Sequence, residues 1–521
     1  MSPLAPLHFV SGAALATAGW LLPRVVARAG RCRPAAALLD MAPLGAAALL
    51  LGLASGRPLF AGAVTLALGA GFALTDMVMR RTLNEPVVFS EMSELPQVFT
   101  HPHLYLPFAG PGLVLGGAAG AIAAATALLA IEPPLWGPRP LAGLSAAVAI
   151  LAGGWVLAWP PLLGILAGLL RRLRPCGEPV ADAARLGPFG MILAHAVIAR
   201  AERAGRQRAL AAPALVKTIG EAGPSIVLVQ CESFFDARRL GPAIPRNILP
   251  GFAASCADAG WHGRLEVPGW GANTMRAEFA VLTGVAEGAL GYDRFNPYYA
   301  LTRVPIESQV WRLRRAGYRT LCLHPFDRRF FRRDLAMPAL GFEEFHGRET
   351  IGGTRVPPYC PDPEFARHIL RALDEPGPPV FIFAITMGNH GPWLAKGPPV
   401  DPAVAQLFDP ARVPHGAGLM RYLDGLRRSD EMLRVLIEGI ERRGQPAVLA
   451  FYGDHLPSLP GAFAHFGFTE PHTDYAVWPG RLWRDTAMPY GRDLPAHKLG
   501  RLIVDRVLGV NAAGDLAAAG K

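Results

Sequence analysis

Long apolar segments dominate the first third of the chain, and charged residues become frequent only after Arg171. A helix that crosses a membrane needs about 20 mostly apolar residues. The pattern predicts five such spans: Leu7–Leu22, Ala35–Leu53, Leu59–Met77, Leu106–Ala130 and Leu141–Leu170. Arginines follow the first span, where a signal peptide would carry a small-residue cleavage site, so this span is expected to be retained. The sequence therefore predicts a transmembrane domain of about five helices in residues 1–170.

Beyond Pro224 the pattern changes to short apolar runs that alternate with amphipathic helical segments. The runs predicted to be strands are Ser225–Gln230, Thr320–His324, Val380–Thr386 and Ala447–His455. Helices are predicted at Glu307–Ala316 and at about Leu419–Arg443. Strands that alternate with helices favour a mostly parallel sheet sandwiched by helices. We therefore expect an α/β domain over residues 223–512, joined to the membrane domain by a juxtamembrane connector over residues 171–222.

Composition and charge narrow the class of protein. Only 18% of the residues are charged, against about 25% in an average soluble protein, and the net charge at pH 7 is +10. The arginine excess is explained either by codon bias or by a basic surface that faces anionic lipid headgroups. No basic stripe interleaved with aromatic residues occurs, so no nucleic-acid partner is predicted. The six cysteines form no CxxC pair, which leaves a thiolate zinc site unsupported.

Polar residues follow the predicted strands at the points where the strands end. Glu232 follows the first strand, His324 ends the second, His390 lies just after the third, and Asp454 and His455 end the fourth. Ligands of parallel sheets bind at the carboxyl ends of the strands. A single carboxylate at such a place is more often a cap or an ion-pair partner. Together, carboxylate and imidazole groups predict a site for Mn, Mg or Zn.

Residues 268–284 read PGWGANTMRAEFAVLTG, a glycine-rich turn that leads into a helix at Thr274. Threonine favours the N-cap of a helix, which gives Thr274 a purely structural explanation. The alternative is a nucleophile at the positive end of a helix, where a phosphate group is readily held. A metal bound by Glu232, Asp454 and His455 would activate the threonine hydroxyl.

Five motifs then carry a resemblance to a known family. In chain order they are VQCESFFD, NTMRAEFAVLTG, HPFDRRFFRRD followed by LGFEEF, TMGNHGPW, and FYGDHLP. With these motifs the chain resembles the lipoteichoic-acid synthase type of phosphoglycerol transferases, within the alkaline phosphatase and sulfatase superfamily. The resemblance covers roughly Ser225 to Leu508, and the layout of five spans before it is also similar. It implies an alkaline phosphatase/sulfatase-like fold for the α/β domain.

The resemblance implies a role for each matching residue. Thr274 matches the catalytic nucleophile, which is also a metal ligand. Glu232, Asp454 and His455 match the other metal ligands. One divalent metal is expected, with Mn²⁺ favoured over Mg²⁺ and Zn²⁺.

The substrate-binding residues follow from the same resemblance. His390 matches a histidine that contacts the transferred phosphoryl group. His324, Phe330 and Arg333 fall where the family holds the glycerol phosphate headgroup. Asn273 stands where lipoteichoic-acid synthases often have lysine, and Phe330 where some have tryptophan. These two departures leave the details of acceptor and headgroup recognition open.

The reaction that the resemblance implies is transfer of phosphoglycerol from phosphatidylglycerol to a glycan or glucan, through a phosphothreonine intermediate. Phosphoethanolamine transfer is an alternative with the same nucleophile. A phosphoester or sulfate ester hydrolase is another, although none of the six cysteines lies in the Cys/Ser-x-Pro/Ala-x-Arg context that sulfatases mature to formylglycine. A membrane scaffold with a decayed catalytic domain is disfavoured by the intact set of candidate residues.

The expected location is the bacterial inner membrane, with a phospholipid donor, a glycan acceptor and an extracytoplasmic catalytic domain. The arginine distribution conflicts with that orientation. Arginines cluster at Arg24–Arg33, at Arg80 and Arg81, and at Arg171–Arg174. With five spans, the positive-inside rule would place all three clusters and the catalytic domain in the cytoplasm. We expect the family orientation to prevail.

Overall fold

The computed structural model describes residues 5–135, 145, 148, 159–216, 223–354, 358–479 and 491–509. The chain divides into two compact units, residues 1–204 and residues 205–521. The boundary between them falls inside the connector expected from the sequence.

Within the described residues, four helices of the first unit are long and apolar enough to cross a membrane. They are Pro6–Val26, Pro34–Ser55, Pro58–Thr82 and Pro111–Ile131. Four of the five predicted spans are thus confirmed as apolar helices. The fifth, Leu141–Leu170, lies mostly outside the described residues, and only the helix Pro160–Arg171 is described near its end.

Further helices are described outside these four spans. They are the 3₁₀ helix Phe89–Ser93 and the α-helices Leu95–Thr100, Pro102–Ala109, Pro179–Leu186 and Pro188–Ala209. All four α-helices carry proline in their first turn. Proline suits that position because its missing N–H group would have no partner within the helix.

The first and third spans approach each other closely at glycines. A Cβ atom added to Gly62 would lie 2.2 Å from the carbonyl oxygen of Gly12, and one added to Gly69 would lie 2.0 Å from that of Gly19. Between membrane helices, small residues allow backbones to approach and gain dispersion contacts that lipid cannot replace. These glycine pairs therefore set the distance between the two spans.

A buried carboxylate ties the second span to the juxtamembrane region. Asp40 is fully buried, and its Oδ2 accepts hydrogen bonds from Trp20 Nε1 at 2.8 Å and Arg24 Nη1 at 2.7 Å. Its Oδ1 accepts from the backbone N–H groups of Phe189 at 2.9 Å and Gly190 at 3.1 Å. The first turn of a helix leaves such N–H groups without partners. Asp40 therefore caps the juxtamembrane helix from within the membrane unit.

The second unit contains an eight-stranded sheet. Its strands are β1 Ser225–Cys231, β2 Trp261–Glu266, β3 Arg319–Leu323, β4 Glu344–His346, β5 Val380–Ile385, β6 Ala447–Gly453, β7 His472–Trp478 and β8 Leu494–Pro495. The spatial order is β4-β3-β5-β1-β6-β7-β2-β8. β7 runs antiparallel to β6 and β2, and the other neighbouring strands are parallel. The prediction of a mostly parallel sheet is confirmed.

The four strands predicted from the sequence are adjacent in the sheet, in the order β3-β5-β1-β6. They are recognisable because burial on both faces makes a strand almost continuously apolar. The other strands carry weaker signals. β4 and β8 have only three and two residues, and β2 reads WHGRLE with three half-buried positions in its middle.

Helices cover the sheet. They are Pro250–Ala257, Thr274–Thr283, Pro297–Leu301, Gln309–Arg315, Arg333–Ala339, Arg348–Ile351, Asp362–Asp374, Pro402–Leu407, Gly416–Arg443, Pro460–Phe466 and Ala496–Val507. On one face, Val227 and Val229 of β1 share a core with Phe365 and Leu433, which lie on two of these helices. The long helix expected to precede β6 is confirmed and begins at Gly416.

Replacing Gly69 by leucine should destabilise the membrane unit, because the new side chain meets the backbone of Gly19 rather than a flexible neighbour. Overpacking of this kind costs about 1–3 kcal/mol. Gly71→Leu is the matched control, since the same helix leaves open space at that position. Thermal unfolding of the full-length protein in detergent measures the effect. Equal midpoints for the two variants would contradict the glycine contact.

Candidate active site and metal centre

The register of two neighbouring strands brings the candidate metal ligands together. β1 and β6 are parallel, and Cys231 lies opposite Gly453. Glu232 and Asp454 are the next residue on each strand, so they leave the sheet side by side. His455 follows Asp454 directly. The sheet edge expected from the sequence is thus formed by residues more than 200 positions apart.

One potential ligand atom from each of Glu232, Asp454 and His455 lies within 4.8 Å of the others. His455 Nε2 is 3.5 Å from Glu232 Oε1 and 3.4 Å from Asp454 Oδ2. Thr274 Oγ1 is 3.5 Å from His455 Nε2. All four residues are buried. The structure therefore brings the four predicted metal ligands to one buried point.

Hydrogen bonds orient these groups as a metal site requires. Asp454 Oδ1 accepts from the backbone N–H groups of Ser233 and His455, both at 2.8 Å. Asp454 Oδ2 is buried and has no hydrogen-bond partner among the described residues. His455 Nδ1 donates to the carbonyl of Leu456 at 3.0 Å, which leaves the lone pair of Nε2 for a ligand. An orphaned carboxylate oxygen beside such a nitrogen fits a divalent cation.

Electrostatics in the site favour a cation as well. Burial raises the pKa of Asp454 to about 7, the negative charge of Glu232 adds to this rise, and His455 opposes it. Two carboxylates in a buried site resist simultaneous ionisation unless a positive charge joins them. A bound divalent cation would supply that charge.

Thr274 is the first residue of the helix Thr274–Thr283, and Asn273 occupies the N-cap position. The interpretation of Thr274 as an N-cap is therefore wrong. Asn273 has a left-handed backbone with φ of 67°, which turns the chain sharply before the helix. The threonine hydroxyl lies at the positive end of the helix, a place suited to an anionic substrate.

The two predicted substrate-binding histidines differ in their surroundings. His390 is half-buried, and its Nδ1 donates to the Gly391 carbonyl at 2.7 Å. His324 is 1% exposed, and its Nδ1 donates to the Ile385 carbonyl at 3.1 Å. Burial and the charge of Arg333 lower the pKa of His324 well below its ordinary value. His324 is therefore neutral at pH 7, and its Nε2 accepts from Arg333 Nη1 at 3.3 Å.

Arg333 is held by a carboxylate that the sequence analysis did not identify. Its Nε donates to Glu278 Oε2 at 3.0 Å, and its Nη2 donates to Glu278 Oε1. Glu278 also accepts from Gln230 Nε2 at 3.1 Å and from the Tyr298 hydroxyl at 2.8 Å. Two nitrogens of Arg333 are thus committed to Glu278, and Nη1, which contacts His324, is the nitrogen left for a substrate. The predicted role of Arg333 in substrate binding remains a prediction.

Phe330 lies in an aromatic cluster beside these residues. It is 7% exposed, and its ring is 5.4 Å from that of Phe326 and 4.3 Å from that of Phe331. Phe331 and Arg332 both have left-handed backbones, with φ of 55° and 54°. This conformation costs about 1–2 kcal/mol per residue with a side chain. The surrounding aromatic packing holds this strained turn between Phe330 and Arg333.

Two further residues support the metal ligands. The Ser233 hydroxyl donates to Glu232 Oε1 at 2.8 Å, and the Thr386 hydroxyl accepts from the backbone N–H of Glu232 at 3.0 Å. Both residues belong to stretches singled out in the sequence, Ser233 within VQCESFFD and Thr386 at the start of TMGNHGPW. Their contacts depend on the pairing of β1 with β5 and β6, which the sequence does not reveal.

The comparisons with known proteins agree with this arrangement. The family model described as "Sulfatase" matches residues 224–483. The capsular polysaccharide biosynthesis protein RkpI of Rhizobium meliloti is 31% identical over 443 residues, which cover 82% of this chain and 78% of that protein. The chain belongs to the sulfatase family. The expected place in the alkaline phosphatase and sulfatase superfamily is confirmed, and the chain is a phosphotransferase or hydrolase of this metal-dependent superfamily.

Two more relatives define the extent of the likeness. A putative cyclic beta-1,2-glucan modification protein of Rhizobium meliloti is 28% identical over 246 residues, 47% of this chain and only 37% of that protein. The lipooligosaccharide phosphoethanolamine transferase EptA of Neisseria meningitidis is an integral membrane protein with 14% identity and a TM-score of 0.50. The match covers 96% of this sulfatase-family chain and 95% of EptA. It shows a shared fold. The four apolar helices of the first unit are long enough to cross a membrane, which indicates a membrane protein.

Mn²⁺ should bind to the metal-free protein with an affinity that rises with pH. Because the pKa of Asp454 is raised to about 7, the carboxyl group must lose a proton before it binds metal at lower pH. His455, whose pKa is also raised, must likewise be deprotonated to bind the metal. The affinity is therefore expected to rise steeply with pH below about pH 7 and then to level off. Calorimetric titration of the full-length protein at several pH values measures this.

Asp454→Asn should abolish binding, and Asp430→Asn is the control. Asp430 is a buried carboxylate that accepts only backbone N–H groups, from Gly251 and Phe252, in the part of the chain that the structure describes. Tight Mn²⁺ binding by Asp454→Asn would show that the metal site lies elsewhere.

Proposed function

We propose that the protein transfers phosphoglycerol from phosphatidylglycerol to a glycan or glucan acceptor, with Thr274 as the nucleophile. The observation that carries this proposal is the buried Thr274 hydroxyl at the start of a helix, beside Glu232, Asp454 and His455. A divalent cation, Mn²⁺ in our proposal, would be held by these four residues and would lower the pKa of the hydroxyl.

The transfer has two steps. In the first, Thr274 Oγ1 forms a bond to the phosphorus, the bond to the diacylglycerol oxygen breaks, and diacylglycerol leaves with the proton that the threonine loses. The enzyme then holds glycerol phosphate as an ester of Thr274. In the second step an acceptor hydroxyl oxygen forms a bond to the phosphorus, the bond to Thr274 Oγ1 breaks, and Thr274 takes up the proton that the acceptor loses.

The remaining residues would bind the headgroup. His390 lies at the end of β5, half-buried, with Nε2 as the ring nitrogen left for a phosphoryl oxygen. Arg333 Nη1, neutral His324 and Phe330 would line the side on which the glycerol lies. Donors aimed at the charge that develops on phosphoryl oxygens lower the barrier of such transfers.

The names of the relatives support a glycan acceptor. RkpI is named for capsular polysaccharide biosynthesis, and the second Rhizobium meliloti protein for modification of cyclic glucans. EptA is a phosphoethanolamine transferase that shares the fold along almost the whole chain. Phosphoethanolamine transfer through the same threonine is therefore the second candidate function.

Labelled phosphatidylglycerol and Mn²⁺ test the function directly. The native enzyme should release diacylglycerol and retain label on Thr274, while Thr274→Ala should lose about three orders of magnitude or more in rate, as expected for a nucleophile. Thr283→Ala is the control, because Thr283 ends the same helix and its hydroxyl bonds only to Phe279 and Val285 in the described residues. Turnover of phosphatidylethanolamine alone would support the second candidate function. Unchanged activity of the Thr274→Ala variant would show that Thr274 is not the nucleophile.

We also propose that the catalytic domain lies outside the cytoplasm, where envelope glycans are accessible. One arginine of each cluster forms an ion pair within the first unit, which gives that arginine a structural role independent of topology. The pairs are Arg24 with Asp40, Arg80 with Asp76, and Arg171 with Glu202. Alkaline phosphatase fused after Lys521 should therefore be active. An inactive phosphatase fusion together with a fluorescent cytoplasm-only reporter would place the domain inside.

A further inference from the structure

Tyr359 lies among the residues proposed to bind the substrate, although no motif in the sequence pointed to it. It is 6% exposed and precedes the helix Asp362–Asp374. Its ring makes edge contacts with His390, at 5.7 Å between centroids, and with Phe326, at 6.0 Å. Phe326 in turn contacts the rings of His324 and Phe330. Tyr359 thus joins the residues that follow β3 to those that follow β5.

The hydroxyl of Tyr359 is buried and has no hydrogen-bond partner in the part of the chain that the structure describes. Buried tyrosines usually find a partner for this group, because an unsatisfied polar atom loses its hydration without compensation. The other buried tyrosines nearby follow the rule, since the hydroxyl of Tyr298 bonds to Glu278 and that of Tyr452 to Gln230. Among the described residues the Tyr359 hydroxyl therefore stands without a partner, and a bound ligand would supply one.

The hydroxyl can donate a hydrogen bond to such a partner. Burial raises the pKa of Tyr359 above its ordinary value, and the negative charge of Glu232 adds to the rise. The hydroxyl thus keeps its proton at neutral pH and is available as a donor. The contact with His390 places the ring of Tyr359 beside the residue proposed to bind the phosphoryl group.

We propose that Tyr359 is a substrate-contacting residue whose hydroxyl donates a hydrogen bond to a phosphoryl oxygen of the donor, next to His390. The proposal rests on the proposed function for the chemistry of the ligand, a phosphate ester. A phosphoryl oxygen suits the position better than a glycerol hydroxyl, because the tyrosine contacts His390, the residue proposed to bind the phosphoryl group. The Tyr359 hydroxyl would add a neutral hydrogen-bond donor to a site in which two nitrogens of the buried Arg333 already bond to Glu278.

Thermal unfolding separates this role from a structural one. Tyr359→Phe removes a hydroxyl that has no partner in the described chain, so the unfolding midpoint of the full-length protein without phosphate should be unchanged or higher. Tyr475→Phe is the matched control, because the buried Tyr475 on β7 donates to the carbonyl of Arg492 at 2.8 Å. That variant should unfold at a lower temperature. A similar loss in Tyr359→Phe would overturn the proposal.

Phosphate binding tests the contact itself. Inorganic phosphate and sn-glycerol 1-phosphate are titrated into the full-length protein with Mn²⁺ present. Tyr359→Phe should weaken binding of both ligands by the same factor, about tenfold or more, since a hydrogen bond to a charged acceptor is lost. Mn²⁺ affinity should be unchanged, and Tyr475→Phe should bind both ligands as the native protein does.

The outcomes distinguish this proposal from the proposed function. Equal phosphate binding by native protein and Tyr359→Phe would overturn it, and so would a loss confined to glycerol phosphate, which would place the hydroxyl on the glycerol instead. Absence of phosphate binding by the native protein would overturn both proposals. If phosphate binding weakens as expected but phosphatidylglycerol is not turned over, the role of Tyr359 stands and the donor assignment fails.

Discussion

The parallel pairing of β1 with β6 is the constraint on which the site depends. With Cys231 opposite Gly453, the next residues of the two strands meet at one edge, and a shift of one position would send Glu232 and Asp454 to different places. The core on both faces of the sheet fixes this register, because a one-residue slip would exchange the side chains of the two faces, each of which is closely packed. The metal site is thus a consequence of hydrophobic packing far from any ligand.

Around this edge of the sheet, most buried polar side chains form hydrogen bonds or ion pairs with one another. Glu278 neutralises Arg333, and Asp362 holds the loop before His390 by accepting from the N–H of Gly388 at 3.1 Å, while the Ser429 hydroxyl donates to its other oxygen at 2.6 Å. Burial raises the pKa of Asp362 to about 6. Such satisfied networks rigidify a site, because each member loses much if its partner moves. Asp454 Oδ2 and the Tyr359 hydroxyl differ from these groups, because they have no hydrogen-bond partner among the described residues.

The sequence alone predicted the parts of the molecule in which a local pattern reports burial. The four central strands and the polar residues at their ends were accessible because fully buried strands are apolar throughout. The partners of those residues could not be predicted from the sequence, because Glu278 and Tyr359 reach the site through contacts between distant segments. Arg333 shows the same limit: its position in a motif predicted a substrate contact, whereas the structure also shows an internal ion pair. Short edge strands such as β8 lack a pattern altogether.

The hydrogen bonds of Asp40 couple the first two spans mechanically to the juxtamembrane helix. Its carboxylate grips the start of the juxtamembrane helix through two backbone N–H groups while it is itself held by Trp20 and Arg24 of the first span. These hydrogen bonds to the backbone hold the two segments at a nearly fixed distance. A change in the tilt of the first or second span must therefore move the beginning of that helix as well. A span can adjust its tilt when the thickness of the bilayer changes, so such an adjustment would also move the start of the juxtamembrane helix.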